Sequence, residues 1–237
     1  MALQIDNLQL LVFDLDGTLI DSRRDLSNSV NATLRYLHRP EIPDEVIATY
    51  IGDGASMLVR RALGDPEGSS QDEDYLQRAL HYFLSYYHDH KLDYTYVYDG
   101  VIDALTHIRN AHPHILMAVL TNKPVNPSRD ICVALGLAPF FFQNYGGNSF
   151  HTKKPDATGL QTLIAEASAL TSTTITPQQT VMIGDSHVDV LTAHNAGAWS
   201  LGCTFGLSAQ TLATAKPDIL VSSAREWPQA LGLATIG

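Results

Sequence analysis

The chain is punctuated by short apolar runs that stop at polar or acidic residues, each followed by a helical pattern. Residues 8–15 (LQLLVFDL) form the first run and end in acids. A run this short, bounded this way, reads as a buried strand. Similar runs follow at residues 115–121 (ILMAVLT), 180–184 (TVMIG), 200–203 and 219–221, with a weaker one at 140–145. Helical patterns separate them at residues 101–110, 126–135, 157–170 and 187–195. Strands alternating with helices of this length imply an α/β fold, a parallel sheet with helices on both faces.

Residues 21–98 interrupt that alternation. They read as consecutive helices with no convincing strand. Leu26, Val30, Leu34 and Leu37 share one face of a helix over 25–37. Leu58, Val59, Ala62 and Leu63 repeat the pattern over 55–63, and Leu76, Leu80, Phe83, Leu84 and Tyr87 over 72–88. Residues 64–71 (GDPEGSSQ) are a polar turn between two of these helices. A length of 237 residues suits one large α/β domain carrying a smaller insert. The expected division is 1–20 with 99–237 as the core and 21–98 as a helical insert.

The formal net charge of −10 argues against a nucleic-acid or anionic-membrane partner. No apolar run approaches the ~20 residues needed to span a bilayer. Residues 1–8 lack a basic stretch and carry Asp6, unlike a secretory signal, so the expected location is cytoplasmic. Cys132 and Cys203 form no Cys-x-x-Cys pair and read as reduced, buried thiols.

In open parallel sheets, ligands bind at the carboxyl ends of the strands. After the first strand stand Asp14 and Asp16, two acids with alternate spacing that can share one site, then Gly17, which permits a tight backbone exit. Two acids buried together need a cation or a proton. After the second core strand, Thr121-Asn122-Lys123-Pro124 sets a hydroxyl and free N–H groups before a helix, which suits an anion. Lys153-Lys154-Pro155-Asp156 supplies cations, and Gly184-Asp185-Ser186-His187-Val188-Asp189 two more acids. Hard oxygen ligands in small number suit Mg²⁺, which also binds phosphate. Neither sulfur nor clustered histidine ligands of a zinc site are present.

These four segments, in this order, resemble the motifs of the haloacid dehalogenase superfamily of phosphatases: FDLDGTLIDS the first, LTNK the second, KKPD the third and IGDSHVDV the fourth. The resemblance covers nearly the whole chain, because the helical insert sits where that family carries its cap. It implies a Rossmann-like three-layer core with a parallel sheet, plus an inserted all-α helical cap domain. It further implies that Asp14 is the nucleophile, that Asp16 is the general acid and then base, and that Thr121 holds the phosphoryl group with help from the turn at Asn122. Lys154, directly before proline, matches the charge-neutralising lysine in preference to Lys153. Asp14, Asp185 and the main-chain carbonyl of Asp16 match the Mg²⁺ ligands, with Asp189 a further acid that binds through water or positions the lysine. His187 falls at a variable position of the fourth motif and reads as a packing or solvent-facing side chain.

The segment Gly52-Asp53-Gly54, followed by Arg60 and Arg61, resembles the substrate loop of phosphoglycolate phosphatases. Two glycines give a flexible turn that could set N–H groups or Arg61 against an anionic tail, although the Asp53 carboxylate opposes one. The expected substrate is therefore a small phosphate ester, 2-phosphoglycolate first, and the expected state a monomer or homodimer. A phosphatase for a sugar phosphate, nucleotide or pyrophosphate is the nearest alternative, and a catalytically silent phosphate-ligand binding protein the one from another class. His88 and His90 lie two apart on a helix, do not face each other, and read as exposed side chains. Phe83 and Tyr87 read as core of the insert, Asp65–Asp74 as a solvated loop, and Asp21 and Ser22 as caps of the first helix of the insert.

Overall fold

The computed structural model describes residue 3, residues 5–65 and residues 73–233. Strand β1 (Leu10–Phe13) is followed by β2 (Ile20–Asp21) and by helices α1 (Arg23–Tyr36), α2 (Asp44–Ala48), α3 (Ala55–Ala62) and α4 (Glu73–His90). The chain returns through β3 (Tyr96–Val97) to α5 (Val101–Ala111), β4 (Leu116–Leu120), α6 (Val125–Ala134), β5 (Gln143–Tyr145) and α7 (Thr158–Thr171). Then come β6 (Thr180–Gly184), α8 (His187–Ala196), β7 (Trp199–Cys203), α9 (Leu212–Ala215), β8 (Ile219–Val221) and α10 (Trp227–Ala230).

The main sheet has the order β5-β4-β1-β6-β7-β8, and every pairing in it is parallel. β1 lies inside the sheet, with Leu10 opposite both Leu116 and Thr180. Its side chains alternate between two cores. Leu11 and Phe13 join one apolar cluster, while Leu10 and Val12 join the other, on the side of α7 and α8. All four are wholly buried, which is why this run carries no polar residue. From β1 the chain builds outward through β4 and β5, then jumps back to β6 on the opposite side of β1. That reversal opens a crevice at the carboxyl ends of β1, β4 and β6.

The insert buries the apolar stripes expected from its sequence. Leu26, Val30 and Leu34 of α1, Leu58 and Val59 of α3, and Leu76, Phe83 and Tyr87 of α4 belong to the same cluster as Phe13. Asp25, buried in α1, accepts hydrogen bonds from the N–H groups of Tyr94 and Thr95 and from Thr95 Oγ1. It thereby ties the returning chain to the outgoing helix.

The structure corrects the sequence reading in four places. Residues 21–98 are not wholly helical: Ile20 pairs with Val97 and Asp21 with Tyr96 in an antiparallel ribbon where the chain leaves and re-enters the core. Two residues per strand are too few to leave a periodic signal. Helix α2, a single short turn after Pro43, was likewise not expected. Asp65 is buried beside Arg60, 3.7 Å away, rather than solvated; residues 66–72 of that turn lie outside the described residues. Ser22 stands at the start of α1 but makes no side-chain cap there; its hydroxyl goes to Asp16.

Candidate active site

β1 ends at Phe13, so Asp14 and Asp16 lie just past the strand on a turn, not on one strand face. The turn reverses at Gly17, whose φ is +89° and whose missing Cβ would stand 2.3 Å from Asp185 Oδ2. Only glycine allows β1 to turn this close to the end of β6. The two acids consequently point to different partners. Asp14 joins Asp185 and Asp189, and one oxygen from each of the three lies within 4.8 Å of the others. The Asp16 carboxylate instead accepts from Ser22 Oγ at 2.5 Å and from Lys123 Nζ at 2.9 and 3.0 Å.

Each member of the acid cluster is held from a separate element. Asp185, after β6, accepts from the Ser208 N–H at 2.8 Å and from Thr18 Oγ1 at 3.3 Å. Asp189 lies in the first turn of α8, where its Oδ2 accepts from the backbone N–H and hydroxyl of Ser186. The serine and the acid cap the helix reciprocally. Lys154 reaches in from the loop after β5, donates to Asp189 Oδ1 at 2.5 Å and stands 2.9 Å from Asp14 Oδ1. No aligned hydrogen bond reaches that Asp14 oxygen, which is buried.

Three buried carboxylates against one ammonium leave an excess of negative charge. Burial pushes the Asp14 carboxyl up to about 6, Lys154 pulls against it, and Asp189 adds to the rise. Burial, then Asp189 and Asp14, hold Asp185 well above the usual carboxylate range. For Lys154, burial works toward the neutral amine, but Asp14 and Asp189 overcome it and keep the group firmly charged. A hard divalent cation would relieve this repulsion, and three oxygen donors without sulfur or imidazole suit one. Asp14, Asp185 and Asp189 are the side chains that could hold it.

Thr121 follows β4, and its Oγ1 accepts from the Lys123 N–H at 3.2 Å. Asn122 donates to the Gly52 and Lys154 carbonyls, both at 3.1 Å, so one side chain spans the helical insert and the core. Lys153 takes a different direction from Lys154 and donates to the Asp53 carbonyl at 2.6 Å. Together with Ser208, which donates to the Ile51 carbonyl at 3.1 Å, these side chains hold three consecutive carbonyls of the insert loop against the core.

A cleft of about 530 Å³, including its solvent-open space, lies between insert and core. Asp14, Asp16, Thr121, Asn122 and Lys123 line its floor, and Gly52, Gly54, Leu58, Phe83 and Tyr87 its roof. Gly54 is needed there: its φ is +87°, and a Cβ would approach the Asn122 carbonyl to 2.8 Å. Arg61 and Asp53 do not line the cleft. They form an ion pair with each other, and Arg61 also donates to the Tyr50 carbonyl at 2.9 Å. Among the described lining residues, the cation facing the cleft is Lys123.

The sequence alone assigns no place in the site to the side chains of Lys123, Ser22, Ser208, Thr18 or Tyr87. Lys123 sits inside the LTNK segment and could have been noticed there. Ser22 reads in the sequence as a helix cap and Tyr87 as core of the insert, while Ser208 carries no local signal; the fold alone brings the three to the site. His187 contributes its backbone N–H to Thr211 Oγ1. His90 pairs with Asp93 at 2.8 Å, away from this cleft. Both cysteines are free and buried. No helix among the described residues is long and apolar enough to cross a membrane.

Residues 11–203 match the family model of haloacid dehalogenase-like hydrolases. A phosphoglycolate phosphatase of Vibrio cholerae is 33% identical over 222 residues, covering 90% of this chain and 92% of the relative. One from Pseudomonas putida is 35% identical over 220 residues, covering 92% of this chain and 77% of the relative. A crystal structure described as a predicted phosphoglycolate phosphatase from Haemophilus somnus superposes with a TM-score of 0.84 at 28% identity, covering 94% of this chain and 98% of that one. The CbbY protein of Rhodobacter sphaeroides, solved in complex with phosphate, shares the fold at a TM-score of 0.72 and 19% identity, over 95% of this chain and 100% of that one. With a parallel sheet in this strand order and a family match spanning most of its length, the chain belongs to the haloacid dehalogenase-like hydrolases.

Proposed function

We propose that this protein is a Mg²⁺-dependent phosphatase that hydrolyses a small phosphate monoester through a covalent phosphate on Asp14, with 2-phosphoglycolate as the leading substrate. The observation that carries this reading is the buried cluster of Asp14, Asp185 and Asp189, with Lys154 against Asp14 and Asp189, and Asp14 reaching the floor of the cleft. Asp14 attacks phosphorus and the ester oxygen departs. Splitting hydrolysis into two displacements on one carboxylate makes each easier. Asp16 gives a proton to the departing oxygen, then takes one from the water that cleaves the aspartyl-phosphate. Thr121 Oγ1 and the backbone N–H of Asn122 receive the phosphoryl oxygens, and Lys154 offsets their charge. Asp14, Asp185 and the main-chain carbonyl of Asp16 would hold Mg²⁺, with Asp189 beside them. Bound there, the ion supplies positive charge that lets a carboxylate approach a phosphate dianion. The helical insert serves as a cap that keeps bulk water from the reacting groups.

The names of the relatives support 2-phosphoglycolate. One observation favours a second substrate class: the roof is apolar, and Arg61 is paired with Asp53 rather than turned to the cleft. A sugar phosphate or another small ester with an uncharged body suits that roof. The test is phosphate release from 2-phosphoglycolate, hexose phosphates, nucleoside monophosphates and pyrophosphate, with Mg²⁺ and with chelator. Release is expected to need Mg²⁺, to vanish in Asp14→Asn and to favour 2-phosphoglycolate. No release from any ester would end the phosphatase reading, whereas preference for another ester would end only the substrate assignment.

A further inference from the structure

We propose that Lys123 is a positioning residue that sets Asp16 for proton transfer, and that Tyr87 holds Lys123 in place from the helical insert. The inference rests on the phosphatase reading above and extends it to a residue outside the set expected to act on phosphate. Lys123 Nζ contacts both carboxylate oxygens of Asp16, at 2.9 and 3.0 Å. Its other face lies on the Tyr87 ring, 4.6 Å from the centroid. Tyr87 is itself stacked on Phe83, with ring centroids 5.9 Å apart and planes within 4°. Both aromatics are buried in α4. The ammonium is thus trapped between a carboxylate of the core and a ring of the insert. An ammonium over a desolvated aromatic face is attracted by the negative face of the ring.

The arrangement has a chemical consequence. In the first displacement the bond from Asp14 to phosphorus forms and the bond from phosphorus to the ester oxygen breaks. The Asp16 proton passes to that oxygen, leaving Asp16 as a carboxylate in a largely buried site. An unpaired buried carboxylate is costly. Lys123 stands where it offsets that charge as it develops, and its two contacts fix the direction in which the carboxyl group faces. Ser22 adds a third hydrogen bond to the same carboxylate, on Oδ1. Because Tyr87 belongs to α4, the arrangement is complete only with the insert seated on the core. Proton donation is thereby coupled to closure.

The experiment compares two esters that differ in their need for the proton. p-Nitrophenyl phosphate loses a stabilised phenolate and needs little protonation; 2-phosphoglycolate, or the alkyl phosphate the wild type turns over fastest, loses an alkoxide. We expect Lys123→Met to lower kcat/KM about 100-fold for the alkyl ester and less than about 5-fold for the aryl ester. Tyr87→Leu shows the same bias to a smaller degree, and the double variant is no worse than Lys123→Met. Asp16→Asn, the reference, shows the bias most strongly, and Lys123→Arg recovers most of the alkyl activity. Equal losses on both esters in a folded Lys123→Met, or a Tyr87→Leu loss that adds fully to it, would overturn the proposal. Should Lys123→Met not fold, Tyr87→Leu decides the matter by the same bias, and a folded Tyr87→Leu without it overturns the proposal. A wild type inactive on both esters overturns the phosphatase reading itself, an outcome distinct from an active wild type whose variants show no bias.

Discussion

Lys154 Nζ donates to Asp189 Oδ1 at 2.5 Å, with both side chains almost wholly buried. The same ammonium stands 2.9 Å from Asp14, so removing it strands three carboxylates together. Breaking a buried ion pair by deleting one partner costs about 3–5 kcal/mol. Lys154→Met is therefore expected to lose about that much stability in metal-free urea titrations, and to lose phosphate release by at least about 100-fold. Lys153→Met is the control. Its ammonium is exposed and, among the described residues, donates to the Asp53 carbonyl, so its effect on stability should stay within about 1 kcal/mol. Equal effects of the two substitutions would show that the lysines were distinguished wrongly.

The acid cluster predicts an unusual pH dependence for the metal-free protein. Asp14 is raised from 3.8 to about 6, and Asp185 rises in the same direction. A carboxyl whose native pKa is raised binds its proton more tightly folded than unfolded. Its stabilising contribution is complete below the unfolded pKa of about 4 and is lost as pH climbs through the native value. In chelator, the melting temperature should consequently fall between about pH 4 and pH 6, the interval from the unfolded to the native value of Asp14, with Asp185 acting in the same direction. Mg²⁺ should raise it most at pH 7 and flatten the slope, because the cation takes over the role of the proton. A melting temperature that rises over this interval in chelator, or ignores Mg²⁺ throughout, would contradict the assignment of the cluster as a cation site.

Much of this site was readable before the structure, and the reason is physical. Asp14, Thr121, Lys154 and Asp185 each follow a strand of the parallel sheet, and apolar runs as short as residues 10–13 or 180–184, bounded by polar and turn residues, read as buried strands by their length. Strand ends in one sheet must converge, so the residues just beyond them are legible as neighbours. What was not legible depends on contacts between distant segments. Asp16 and Asp14 do line one cleft, as their spacing suggests, but that spacing does not show that the turn at Gly17 gives the Asp16 carboxylate partners of its own, Ser22 and Lys123. Tyr87 was readable as core of the insert from its helical stripe, but its place over Lys123 follows only from how α4 seats on the core. Arg61 carries the charge expected of an anion-binding residue, and only the fold reveals that Asp53 takes it.

Gly17→Ala tests how closely β1 and β6 must approach. A methyl group there would sit 2.3 Å from Asp185 Oδ2, on a backbone with φ of +89°. The backbone alone makes this conformation cost about 1–2 kcal/mol for an L-residue. Displacing Asp185 adds the loss of its hydrogen bond from Ser208. We expect a total destabilisation of roughly 2–4 kcal/mol and a fall in apparent Mg²⁺ affinity of at least about 10-fold. Isothermal titration of Mg²⁺ into the folded variant measures the second effect directly. An unchanged affinity would mean that Asp185 is not a ligand.

Arg61→Ala separates two roles for the Gly52-Asp53-Gly54 loop. If Arg61 met the acidic tail of a substrate, its loss would raise KM for 2-phosphoglycolate and spare esters without a carboxylate. The structure sets it otherwise: Arg61 pairs with Asp53 and donates to the Tyr50 carbonyl, bracing the loop from behind the cleft. The side chains of Asn122, Lys153 and Ser208 grip the front of the same loop at three successive carbonyls. Losing the brace loosens the loop for every substrate alike. Arg61→Ala is thus expected to raise KM about 5- to 20-fold for 2-phosphoglycolate and for p-nitrophenyl phosphate to a similar extent, an effect of about 1–2 kcal/mol. Asp53→Ala, which leaves the Arg61 guanidinium free, should damage the loop less for an acidic ester than for a neutral one, since the released cation can then turn toward a carboxylate. A selective KM effect of Arg61→Ala on 2-phosphoglycolate alone would restore Arg61 as a direct substrate contact.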